Sequence, residues 1–145
     1  MCLDKITHKH IPPVSAGRGY KVFQSFGDSS YHLPFYSCIT DMYIGGVYEA
    51  DTGTELRAYQ GIGENPSDEY YYSGFHVFED ETSAWEYAKY LGPRFTVVDV
   101  ECYGITVSGK QEICTWDEAI LHGYNAVHEV FVCDKMRLVR ECNHS

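Results

Sequence analysis

The residues best suited to chemistry in this chain are one histidine, one arginine and a run of tyrosines. His76 lies in the short apolar segment Gly74-Phe75-His76-Val77-Phe78. An imidazole there can contact a ligand or act in catalysis, or it can be a satisfied, half-buried structural group. Arg18 is flanked by Gly17 and Gly19 just before a strand-like segment. A guanidinium so placed can grip a phosphate or carboxylate with two parallel hydrogen bonds, or it can sit on the surface. Tyr70, Tyr71 and Tyr72 follow a long polar stretch. Such rings can stack on a base or cover the edge of a core. Together these residues suggest a pocket for a nucleotide-like small molecule where the Gly74–Phe78 strand meets the preceding loop. Arg18 would hold phosphate, His76 would hydrogen-bond and one tyrosine, Tyr71 at the centre of the run, would stack.

Other chemistry has less support. His8 and His10 would share a face of a strand, with Cys2 near, but no complete ligand set follows, so no metal is expected. There is no GxSxG, Walker or GxGxxG motif, and no cofactor is expected. A Cys–His nucleophile pair stays open, because such pairs meet in space rather than in sequence. The six cysteines have no secretory leader beside them, so they read as free thiols of a reducing cytoplasm, with Cys102 and Cys133 as small core residues. The longest apolar runs are too short to cross a bilayer as a helix.

The chain has 145 residues and a net charge of −10, with 21 acids against 11 bases. This balance disfavours direct nucleic-acid binding. No Lys or Arg lies between Arg57 and Lys89, a stretch that carries Glu64, Asp68, Glu69, Glu79, Asp80, Glu81 and Glu86. These acids read either as a solvated face or as a surface that docks on a basic partner protein.

The elements that would position these groups form one α+β domain after an irregular arm over residues 1–18, where Pro12-Pro13 and Gly17 interrupt any pattern. A strand is expected over Gly19–Phe26 with Tyr20, Val22 and Phe26 facing the core, and a broken strand around Tyr43–Tyr48. Residues 51–73 read as a loop, and Gly74–Phe78 as a strand. A helix follows, capped by Asp80, with Ala84, Ala88 and Leu91 inward and Gly92-Pro93 as its stop. Alternation in Phe95–Cys102 predicts a strand with Val98, Val100 and Cys102 facing one way and Asp99 and Glu101 the other, which Ile105–Val107 continue or flank. Thr115–Glu118 is a capping-box pattern for a second short helix. Ala126–Cys133 and Met136–Arg140 read as two more strands, with Asp134-Lys135 turning between them. The expected fold is a twisted, mainly antiparallel sheet with about two helices.

Several segments resemble small phage and prophage proteins: the opening Met1-Cys2-Leu3, Gly19-Tyr20-Lys21-Val22-Phe23, Gly74–Phe78 with its helix, Val97-Val98-Asp99-Val100, Gly104 through Gly109, and the strand near Ala126-Val127. The resemblance spans about residues 19–140. It implies an accessory protein of the host cytoplasm that acts by binding a host protein, counter-defence being one such role. In layout the chain is also similar to ADP-ribosyltransferases, though without their third-strand glutamate motif. That similarity implies an NAD-binding enzyme, with Glu101 and Glu129 as the strand carboxylates available for its glutamate role.

Overall fold

The computed structural model describes residues 3–34, 41–58, 70–113 and 126–143. Of these, 63% are in strands and 10% in helix. The balanced α+β expectation is therefore corrected to a largely β fold with one helix among the described residues. The second helix expected from Thr115 lies outside them.

Three long strands dominate: β1 (Lys5–Ser25), β7 (Phe95–Ile113) and β8 (Ala126–Glu141). The shorter elements are β2 (Tyr31–His32), β3 (Val47–Glu49), β4 (Glu55–Arg57), β5 (Tyr70–Tyr72), β6 (Phe75–Phe78) and the helix α1 (Glu81–Leu91). All strand pairings are antiparallel.

Sequence reading divided the long strands too finely. The arm expected over residues 1–18 is largely strand, because Pro12 and Pro13 fall where the β1–β7 register shifts between Lys9 and Val14. A proline at a bulge gives up no ladder hydrogen bond. Asp134 and Lys135 do not turn the chain, since β8 runs straight through them with β7 beside it. Gly104 lies between two paired residues of β7 with φ +66°, and a side chain there would strike Asp134. The expected loop over 51–73 contains β4 and β5, which pair with one another. Residues 59–69 are not described.

The pairings close a ring. β1 lies against β7, β7 against β8, β8 against β6, and β6 returns to β1 through the single pair Tyr20↔Phe78. Two apolar clusters result, one on each face. The first includes Phe23, Phe75, Val77, Val98, Val100, Cys102, Phe131, Cys133, Met136 and Leu138. The second places Val22, Phe78, Val97, Val107, Val130 and Val132 beneath Ala84, Tyr87 and Ala88 of α1. Both Val22 and Phe23 are consequently buried, while Phe26, expected inward, is exposed. A strand buried on both faces reads as a continuous apolar run, so parity alone misassigns it.

Helix α1 follows the sequence expectation closely. Ala84 and Ala88 are buried, Leu91 packs at the edge of the same cluster, and Gly92 donates its N–H to the Ala88 carbonyl. Asp80 holds the N-cap position in extended conformation, but its side chain makes no capping hydrogen bond.

Candidate ligand-binding site

The weak point of the ring is the β1–β6 seam. Among the described residues only Tyr20↔Phe78 pairs across it, with no further register pair between the two strands. Lys21 bridges the two strands by donating from Nζ to the His76 carbonyl at 2.7 Å. That bond satisfies a carbonyl on the side where β1 supplies no ladder partner. A cavity of about 290 Å³ opens there. Its apolar wall includes Val22, Leu33, Leu56, Phe75, Phe78 and Tyr87, and its polar members are Lys21, Asp51, Thr54, Ser73 and His76.

Among the described residues Lys21 is the one lysine or arginine in this lining. Burial lowers its pKa from 10.5 to about 8, against the nearby thiols of Cys133 and Cys102, which act the other way. Among the described residues no carboxylate lies within ion-pair distance of it. A cation held in an apolar wall by one neutral carbonyl retains most of its demand for an oxygen partner.

His76 has a different character. The Leu3 N–H donates to the Tyr71 hydroxyl at 2.8 Å, and that hydroxyl lies 2.9 Å from His76 Nε2. His76 Nδ1 lies 3.3 Å from the Gly74 carbonyl, which can only accept. Nδ1 therefore carries the proton, Nε2 accepts from Tyr71, and both ring nitrogens are occupied. Burial, then the Lys21 charge, lowers the His76 pKa to about 3, so the ring is neutral near pH 7. This is the structural alternative for His76: a relay that ties the N-terminal segment and β5 to β6. Tyr71 is buried in that relay rather than offered as a stacking face, whereas Tyr70 and Tyr72 are exposed.

The remaining candidates do not join the cavity. Arg18 pairs with Asp99 at 2.9 Å, and Asp99 also meets Arg140 at 3.4 Å. Glu101 accepts from Arg137 at 3.0 and 3.3 Å and from the Tyr103 hydroxyl at 2.8 Å. Arg137, then Tyr103, lowers its pKa. Glu129 is exposed and lies 3.8 Å from Lys110. Neither carboxylate lines the cavity, so the pair expected to serve an ADP-ribosyltransferase chemistry is not brought to a shared pocket with His76 and Arg18. Glu79, Asp80, Glu81 and Glu86 are exposed at and along the start of α1. Glu64, Asp68 and Glu69 lie outside the described residues. His10 Nε2 lies 2.9 Å from Ser108 Oγ, and among the described residues no three His, Cys, Asp or Glu side chains gather as metal ligands.

Sequence reasoning missed Lys21. The available signal was its place within Tyr20-Lys21-Val22-Phe23, a charged residue inside an apolar run. With Tyr20 and Val22 assigned to the core, alternation placed Lys21 on the solvent face.

No family model matches the chain, and comparison with curated proteins and with solved structures finds no match. Among the described residues no helix is long and apolar enough to cross a membrane.

Proposed function

We propose that this domain binds a small molecule in the cavity at the β1–β6 seam, through an oxygen acceptor that meets Lys21 and an apolar or aromatic body against Phe78 and Tyr87. The observation that carries this reading is the Lys21 ammonium in an apolar wall with no carboxylate partner among the described residues. Known small-molecule sites occupy roughly 300–1,000 Å³, so this cavity lies at their lower limit. It suits a mononucleotide or an aromatic acid better than a dinucleotide, which argues against NAD. This reading keeps a nucleotide-like ligand as one candidate, of smaller size, with Lys21 in the place given to Arg18.

A thermal-shift screen of nucleoside monophosphates and aromatic carboxylates tests this directly. A ligand present at a hundred times its Kd stabilises the native state by about 2.7 kcal/mol, which raises the melting temperature of a chain this size by roughly 5–10 °C. The rise is expected to vanish in Lys21→Met. A screen without shifts, or a shift that Lys21→Met leaves unchanged, removes the reading.

The exposed acids give a second reading. Glu79, Asp80 and Glu81 are consecutive and exposed where α1 begins, with Glu86 farther along the helix. Joined to the phage-protein resemblance, this supports a face that docks on a basic host protein. Reversing Glu79, Asp80 and Glu81 to lysine is expected to slow that association about tenfold or more at low salt, with the difference shrinking as salt rises. Association rates indifferent to both charge and salt contradict it.

A further inference from the structure

We propose that Lys21 captures aldehydes covalently, its ε-amine condensing with an aldehyde of apolar or aromatic body to form an imine inside the β1–β6 cavity. The inference rests on the reading of that cavity as a ligand site and adds the chemical class of the ligand.

Nucleophilic attack requires the neutral amine, so the partners of Nζ decide whether it can act. Lys110 and Lys135 have carboxylate partners, Glu129 at 3.8 Å and Glu49 at 3.7 Å. Lys21 has instead the neutral His76 carbonyl at 2.7 Å. A neutral amine can donate one N–H to that carbonyl and keep its lone pair for another atom. Burial acts in the same direction. With a pKa of about 8, far more of Lys21 is free amine near neutral pH than of a lysine at 10.5.

Among the described residues Lys21 is also the one lysine that lines the cavity, beside an apolar wall formed by Val22, Leu33, Leu56 and Phe78. That wall favours an apolar aldehyde over water and slows hydrolysis of the product.

The step balances without an oxidant or reductant. The nitrogen lone pair adds to the carbonyl carbon, and the C=O π electrons move to oxygen. A proton passes from nitrogen to that oxygen. The second N–H proton then passes to the resulting hydroxyl, which leaves as water as the C=N bond forms. Asp51, Thr54 and Ser73 line the same cavity, so its wall carries groups of the kind that relay protons.

The test treats the intact protein with benzaldehyde at about pH 7.5, traps any imine with cyanoborohydride and maps the labelled peptides by mass. Lys21 is expected to be labelled at least about tenfold faster than the exposed Lys5, Lys9 and Lys89, with a rate that rises through about pH 8. Benzoate and benzyl alcohol, which cannot condense, are expected to protect it. Lys21→Arg should lose this label and keep those on the other lysines. Labelling spread evenly over the exposed lysines, with Lys21 slowest, overturns the proposal. If benzoate still raises the melting temperature under that outcome, the imine fails and the cavity remains a ligand site. If benzoate and the wider ligand screen both produce no shift, the two readings fail together.

Discussion

Acidification from pH 6.5 to 4.5 is expected to remove roughly 2–3 kcal/mol of stability through His76 alone, and replacing His76 should abolish that part of the loss. The folded-state pKa is about 3, lowered from 6.5 by burial and by Lys21. The unfolded chain therefore binds the proton first as pH falls. Between about pH 6.5 and 3 the unfolded state carries more protons than the native state, so stability falls with pH. The contribution is fully present above 6.5 and lost on the way to 3.

Most of this window lies above the range in which ordinary carboxylates titrate, so His76 can be separated from Asp28 and Glu101, whose pKa values are lowered by their own partners. His76→Phe preserves a ring of similar shape but leaves the Tyr71 hydroxyl without its acceptor nitrogen. That change should cost about 1–3 kcal/mol at pH 7. It should also flatten the pH dependence, so that wild type and variant converge as pH falls. Urea midpoints measured at half-unit steps decide the matter. Parallel curves for the two proteins contradict the assignment of a neutral, relay-bound His76.

Gly19→Ala is expected to destabilise the fold by about 1–3 kcal/mol, a fall of roughly 2–10 °C in melting temperature, and to weaken ligand binding with it. A Cβ on Gly19 would lie 2.5 Å from Val77 Cγ1, 2.7 Å from the Phe78 carbonyl oxygen and 2.9 Å from Phe131 Cζ. The carbonyl belongs to the strand that closes the ring, so the clash cannot be relieved by rotating a side chain alone. β1 and β6 must move apart next to the pair Tyr20↔Phe78. Separation at that point also displaces Lys21, two residues along β1, from the His76 carbonyl. An alanine variant with unchanged melting temperature and ligand affinity would show that the seam is looser than this geometry requires.

Sequence periodicity revealed the elements whose signals are local. Helix α1 was legible because an N-cap residue, three inward apolar positions and a Gly-Pro stop coincide within Asp80–Pro93. The alternation in Phe95–Cys102 gave the burial of Val98, Val100 and Cys102 correctly. What escaped depends on contacts between distant segments. Lys5 to Arg18 forms strand because β7 extends far enough to pair with it, and no feature within those residues announces the partner. Val22 and Phe23 are both buried because ring closure covers both faces of β1, which two-residue alternation cannot express.

The candidate site was partly visible. Gly74, Phe75, His76 and Phe78 line the cavity, where the sequence reading set its pocket, but Tyr71 contacts His76 in a buried relay and does not line it. The cation differs as well. Arg18 is held by Asp99 on β7, and the residue that enters the cavity wall is Lys21. Whether a guanidinium is free or paired depends on a carboxylate 81 positions away, which composition and spacing do not reveal.

The central claim is that a small ligand with an oxygen acceptor binds beside Lys21 at the β1–β6 seam. NMR titration of the labelled protein with the strongest ligand from the thermal-shift screen tests it most directly, following backbone amides and lysine side-chain signals together. The account predicts saturable shifts at Lys21, Ser73, Gly74, Phe75 and Tyr87, with the Lys21 side chain moving most and the exposed Lys5 and Lys9 unmoved. Shifts confined to the exposed guanidinium groups of Arg18 and Arg140, with Lys21 and Gly74 unmoved at saturation, would contradict it.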